Sequence, residues 1–177
     1  MDDTSEPQLQ YLEYYEDFLA KVRVVSRKVA DSDWMPDFVI GIGRGGLVPG
    51  CYVSHQLDVP MLSIDHSAKQ PDFADELLAK LAVMSGEGKK LLFIDDINDS
   101  GGTIEFLRAR LAELGADASF VRFAVIITNT SSRAKTDYWA QTIDRSHDKR
   151  WFVFPWESVS TRETITAEAL SVPERLA

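Results

Sequence analysis

Leu91-Leu92-Phe93-Ile94-Asp95-Asp96-Ile97-Asn98-Asp99-Ser100-Gly101-Gly102-Thr103-Ile104 decides how the rest of the chain is read. Four apolar residues follow Lys89-Lys90, as in a strand buried on both faces. Helical spacing resumes at Ile104, with Phe106, Leu107 and Leu111 on one face. Between them the chain must turn from strand to helix. Asp95 and Asp96 end the strand, and Asp99 to Thr103 bring small residues and free backbone N–H groups to the start of the helix. Glycines admit a dianion close to the backbone, the hydroxyls of Ser100 and Thr103 can donate to it, and the helix dipole favours it. Asp95 and Asp96 point to alternate sides, and suit acceptors for vicinal hydroxyls or ligands for a magnesium ion. The plainer reading is a capped turn with Asp99 as N-cap. That leaves the paired carboxylates without a purpose.

A second strand-to-helix turn lies upstream. Phe38-Val39-Ile40-Gly41-Ile42 reads as a buried strand and runs into Gly43-Arg44-Gly45-Gly46-Leu47-Val48-Pro49-Gly50. Gly41 to Gly46 also satisfies G-x-G-x-x-G, and Asp65, after the strand at 60–64, stands about where a dinucleotide-binding fold places its ribose acid. A nicotinamide-dependent oxidoreductase explains neither the second turn with its carboxylates nor Arg44, whose forked guanidinium suits a pyrophosphate oxygen.

Ile94 to Thr103 resembles the phosphoribosyl-diphosphate-binding motif of the type I phosphoribosyltransferases, with Ser100 in place of the commoner threonine. Gly43 to Gly50 is similar to that family's pyrophosphate loop, closest to the xanthine-guanine branch, and Trp151-Phe152-Val153-Phe154-Pro155-Trp156-Glu157 resembles its hood segment. The resemblance covers about residues 36 to 157. It implies an α/β fold, a mainly parallel sheet flanked by helices, with a small hood from about 138 to 160. It also implies transfer of ribose 5-phosphate from phosphoribosyl diphosphate to a nucleobase, a 6-oxopurine first among the choices, with Mg²⁺ as cofactor. Gly43, Arg44, Gly45 and Gly46 would hold the pyrophosphate, and Ser100, Gly101, Gly102 and Thr103 the 5'-phosphate. Asp95 and Asp96 would take the ribose hydroxyls, and with Glu157 the metal side. Trp151 would stack on the base, Phe152 would offer backbone groups to its edge, and Asp99 would be the general acid or base.

Two departures stand out. The family's mobile loop usually carries a Ser-Tyr pair that has no match between His66 and Lys90, where Lys69 or Lys80 would have to supply charge. The lysine that meets the 6-oxo group in purine relatives falls on Asn129, an amide that can both donate and accept. These departures keep a second reading open, a non-catalytic regulatory protein that binds phosphoribosyl diphosphate as a sensor.

The remaining segments frame these motifs. Residues 1–8 read as a frayed tail. Leu9 to about Ala30 has helical spacing at Leu12, Tyr15, Phe18, Leu19, Val22, Val25 and Val29. Phe73 to Met84 is a further helical segment, Phe120 to Ile127 a strand, and Ser158 to Ala177 a peripheral helix. Gly115 is the expected C-cap of the helix after the central turn. Cys51 lies in an apolar pattern and is expected to be buried. His55, His66 and His147 have no metal-ligand spacing.

At 177 residues, 45% hydrophobic and 27% charged, the chain fits a single globular domain over 1–177. A net charge of −9 disfavours nucleic acid and anionic membrane. No apolar run approaches the ~20 residues of a membrane span. The acidic start, Met1-Asp2-Asp3, differs from a secretory signal, so a cytoplasmic enzyme is expected, as a homo-oligomer, dimer or tetramer.

Overall fold

A computed structural model describes residues 7, 9–11, 15–65 and 71–171. In chain order it contains β1 (Leu9–Tyr11), α1 (Tyr15–Ala30), β2 (Phe38–Ile42), α2 (Gly43–Leu57), β3 (Met61–Ile64), α3 (Pro71–Gly86) and β4 (Leu91–Asn98). There follow α4 (Gly102–Glu113), a short 3₁₀ turn (Ala118–Phe120), β5 (Val121–Asn129), β6 (Tyr138–Ile143), β7 (Trp151–Val153) and α5 (Arg162–Leu170). Five strands form one sheet in the order β3-β2-β4-β5-β6, every neighbouring pair parallel.

Strand β4 is central because its apolar run satisfies both faces of a sheet covered by helices. Leu92 and Ile94 join Phe18, Val22, Val25 and Val29 of α1 and Val53 of α2, while Leu91 and Phe93 join Leu78 and Leu81 of α3 and Leu107 and Leu111 of α4. Leu91 to Ile94 are fully shielded from solvent, and each such side chain contributes roughly 1.5–3 kcal/mol of burial. Helix α3 begins with Pro71, whose missing N–H is harmless at a first helical position. Gly115 takes the left-handed conformation beyond α4, at φ +83°.

The structure differs from the sequence expectations at several places. The helix does not begin at Leu9: Leu9–Tyr11 pairs in parallel with Trp151–Val153 as a separate two-stranded sheet. Backbone pairing with an otherwise open strand outweighs the helical spacing there. The hood is smaller than 138–160, because Tyr138–Ile143 is the edge strand of the main sheet. Cys51 and Phe106 are exposed, not buried, each standing on the outer face of its helix. Of the proposed tail only Pro7 is described; His66, Lys69 and residues 172–177 also lie outside the described residues, and Lys80 is an exposed residue of α3.

Candidate active site

Both glycine turns end at the carboxyl edge of neighbouring parallel strands. Helix α2 follows β2 without a loop, and Ile42 at its N-cap offers no side-chain bond to the first N–H groups. Gly46 lets α2 press onto β4: a Cβ there would sit 2.1 Å from the Ile94 carbonyl oxygen. That approach sets Gly43, Arg44 and Gly45 around a cavity of about 520 Å³ shared with Asp95, Asp96, Thr103, Glu157 and Glu168.

The turn after β4 is held by Gly101, at φ +94°, where a Cβ would lie 2.5 Å from the Ala134 nitrogen. Gly101, not Asp99, is the N-cap of α4, and it has no side chain with which to cap. The Gly102 N–H reaches the Ser100 Oγ at 3.3 Å. Asp95 to Ile104 line a second cavity of about 260 Å³, together with Arg145, Trp151, Phe152, Phe154 and Glu157. Asp95, Asp96, Thr103 and Glu157 belong to the walls of both cavities. The structure thus gathers the residues expected at the phosphates, ribose and hood around two adjoining cavities, except Gly46, which lines neither and instead packs against the Ile94 carbonyl of β4.

The carboxylates there are crowded, with the Arg44 charge felt only by Glu157. Asp95 Oδ1 accepts from the Asp96 N–H at 3.0 Å, Asp96 Oδ1 from the Ile97 N–H at 2.6 Å, and Glu157 Oε2 from the Phe154 N–H at 2.9 Å. Among the described residues none of the three has an ion pair. Burial, then the neighbouring Asp96 charge, pushes Asp95 well above the usual carboxylate range. Burial and the nearby Glu157 push Asp96 up to about 7. Glu157 is raised too, chiefly by burial.

Asp99 has a different environment. Arg145 Nε donates to its Oδ1 at 2.8 Å and Oδ2 at 3.1 Å, and Nη2 to Oδ2 at 2.7 Å. The Arg145 Nη1 donates to the carbonyls of Asp148 and Arg150, at 3.1 and 2.6 Å, and its guanidinium lies 5.5 Å from the Phe152 ring centre. Asn129 sits behind this pair and does not line the cavity. Its Nδ2 donates to the Asp99 carbonyl at 3.1 Å, while its Oδ1 accepts from Ser131 and from the Arg145 N–H. The amide read from the sequence as a base contact is thus committed to backbone and hydroxyl groups.

Sequence reasoning passed over two charged cavity residues, Glu168, in the segment read as a peripheral helix, and Arg145. The latter lies in the run Asp144-Arg145-Ser146-His147-Asp148-Lys149-Arg150, whose composition reads as a solvated loop, yet Arg145 is only 4% exposed. The one cue was its place just before an aromatic strand. His55 and His147 are exposed and stand apart from both cavities.

Comparison with known proteins agrees with this geometry. A family model described as a phosphoribosyl transferase domain matches residues 10–159. A xanthine-guanine phosphoribosyltransferase of Cereibacter sphaeroides is 30% identical over 125 residues, covering 67% of this chain and 68% of that enzyme. A purine phosphoribosyltransferase from Pyrococcus horikoshii shares the fold at a TM-score of 0.61 and 23% identity, over 85% of this chain and 94% of its own. A Neisseria gonorrhoeae protein solved with bound ppGpp does so at 0.62 and 22% identity, over 92% and 98%. With a matching domain over most of its length and its two glycine turns brought to one edge of a parallel sheet, the chain belongs to the phosphoribosyltransferase family of enzymes.

Proposed function

We propose that the chain transfers ribose 5-phosphate from phosphoribosyl diphosphate to a ring nitrogen of a 6-oxopurine (guanine, xanthine or hypoxanthine) and releases pyrophosphate. The observation that carries this reading is the shared wall of the two cavities. Asp95, Asp96 and Thr103 stand between a glycine-and-arginine helix start on one side and an aromatic recess on the other. A molecule with pyrophosphate at one end of a sugar and a 5'-phosphate beside it matches that spacing of chemistry. The curated relatives of this chain are named for the xanthine-guanine reaction, which favours catalysis over a sensor.

In this reading a base nitrogen attacks C1' as the bond from C1' to the pyrophosphate oxygen breaks. The bonding pair leaves with pyrophosphate, and positive charge develops on the ribose ring. Arg44 and the uncapped N–H groups of α2 stabilise the departing oxygens, and the N–H groups of Gly102 and Thr103 hold the 5'-phosphate. Asp95 and Asp96 orient the ribose hydroxyls. Trp151 and Phe152 enclose the base, and the Asp99 carboxylate receives the ring N–H proton.

The residues also fit a magnesium ion. Three crowded carboxylates, Asp95, Asp96 and Glu157, have no ion pair among the described residues, with only the Arg44 charge acting on Glu157, and burial favours their protonation until a further cation arrives. No group of three or more ligand side chains among the described residues is close enough to cage a metal alone. Magnesium commonly keeps water and substrate oxygens in its shell, so a site shared with the substrate is consistent with these side chains. The ion would supply neutralisation of the pyrophosphate charge.

Pyrophosphate release tests the reading, with phosphoribosyl diphosphate, Mg²⁺ and each of guanine, xanthine, hypoxanthine, adenine, uracil and orotate in parallel. Release is expected with 6-oxopurines and to stop when EDTA removes the metal. Binding of phosphoribosyl diphosphate without release for any base would establish the sensor instead.

A further inference from the structure

The loop 144–150 holds a buried arginine against a cavity, and its hydrogen-bond inventory is informative. A guanidinium has five N–H groups in one plane. In Arg145 both Nη1 hydrogens go to the carbonyls of Asp148 and Arg150, the Nε hydrogen is shared by the two oxygens of Asp99, and one Nη2 hydrogen goes to Asp99 Oδ2. The second Nη2 hydrogen has no partner among the described residues, although Arg145 is 4% exposed and lines the cavity. A donor left over on a nearly buried cation is costly unless something polar meets it. Asp99 has spare acceptor capacity as well, since its two oxygens offer about four lone-pair sites.

A donor and an acceptor therefore stand side by side in the wall that also carries Trp151 and Phe152. The complementary ligand edge is a carbonyl next to a ring N–H on a flat heterocycle. A 6-oxopurine presents that edge as O6 beside N7–H. A 6-aminopurine presents two donors there, and its amino group would face the arginine hydrogen. We infer that Arg145 and Asp99 act as one base-reading pair, Arg145 donating to the 6-oxo group and Asp99 accepting from the adjacent ring nitrogen. Arg145 thereby becomes the residue that selects 6-oxo over 6-amino purines. This rests on the phosphoribosyltransfer reading above and adds to it the residue that sets base choice. Asn129 is left to brace the pair from behind.

The test compares kcat/KM for hypoxanthine, for purine lacking a 6-substituent and for adenine, in the wild type, Arg145→Gln and Arg145→Lys, with binding of phosphoribosyl diphosphate measured by calorimetry. The wild type is expected to prefer hypoxanthine over unsubstituted purine by about 10–100-fold, the range for a charge-assisted hydrogen bond. Arg145→Gln should shrink that ratio at least about tenfold, and Arg145→Lys should keep part of it. Binding of phosphoribosyl diphosphate should change by less than about threefold, because its proposed contacts lie on other elements. Equal losses with hypoxanthine and purine would make Arg145 a structural residue and overturn the inference. Should the variants fail to fold, the wild-type ratio alone decides: a value near one shows that nothing reads the 6-position. Absence of turnover with every base refutes the underlying reaction, which is a different outcome from turnover without 6-oxo preference.

Discussion

From the last residues of β4 into the turn after it, Asp95 to Ile104 line the cavity as consecutive residues, so the strand does not end at Asp96 but runs to Asn98, and Gly101 fixes the path beyond it. In the loop 144–150, a single side chain reaches the cavity, and its carboxylate partner stands 46 positions earlier in the chain. The first region is made of backbone geometry and the second of one long-range ion pair. The difference bears on function. Backbone donors suit a phosphate, which is the same in every substrate, and a side-chain pair suits the base, which is what distinguishes one substrate from another.

The widest split between the two regions should come from Asp99→Asn, which leaves the glycine turn after β4 intact. Turnover is expected to fall by about 10²–10⁴-fold, with the Kd for phosphoribosyl diphosphate within about threefold of the wild type. Stopped-flow chemistry and calorimetric binding together check this, and equal losses in both would remove the distinction.

Gly101→Ala tests the backbone side. A methyl group there meets the Ala134 nitrogen at 2.5 Å and forces a side chain to φ +94°. Binding of phosphoribosyl diphosphate is expected to weaken by about tenfold, with a drop in the urea midpoint. Gly115→Ala is the control, with φ +83° and open space around its Cβ. It should cost about 1 kcal/mol of stability and leave binding alone.

A smaller effect concerns pH. The folded state holds Asp96 up at about 7, against an ordinary carboxylate value of 3.8. Between these values the folded chain keeps a proton that the unfolded chain releases. The stability from this group is therefore complete below about pH 4 and is lost as pH rises through about 7. Without metal, Tm is expected to fall from pH 5 to pH 8, with a shallower fall in Asp96→Asn. Magnesium should raise Tm more at pH 8 than at pH 5.5. An identical pH slope in the variant would assign the effect elsewhere. Smallest of all, Cys51→Ala touches neither region, and should change stability by no more than about 0.5 kcal/mol and activity not at all.

The sequence made the turns legible because their causes are local. Glycines at fixed offsets, small hydroxyl residues and a run of four apolar side chains constrain the backbone without help from distant partners. The parallel α/β fold followed from the same strand-to-helix alternation. Other features depended on contacts that spacing does not encode. Leu9–Tyr11 has apolar residues in helical phase with α1, yet pairs as a strand because Trp151–Val153 offers an edge. Tyr138–Ile143 lies in the segment assigned to the hood, and joins the main sheet beside β5. Cys51 sits among apolar neighbours in sequence and on the outside of α2 in space. Arg145 was hidden by the charges around it, since a charged loop residue is ordinarily solvated and its burial rests on Asp99 and on the Asp148 and Arg150 carbonyls. Asn129 stands where purine relatives carry a lysine, and its four bonds to protein groups give it a bracing position.

The most direct measurement of transfer and base choice together is the nucleotide formed when the purified chain meets phosphoribosyl diphosphate, Mg²⁺ and an equimolar mixture of guanine and adenine. GMP is expected, with AMP lower by about tenfold or more. AMP in comparable amount would contradict the base-reading pair, and no nucleotide of either kind would contradict the transfer reaction itself.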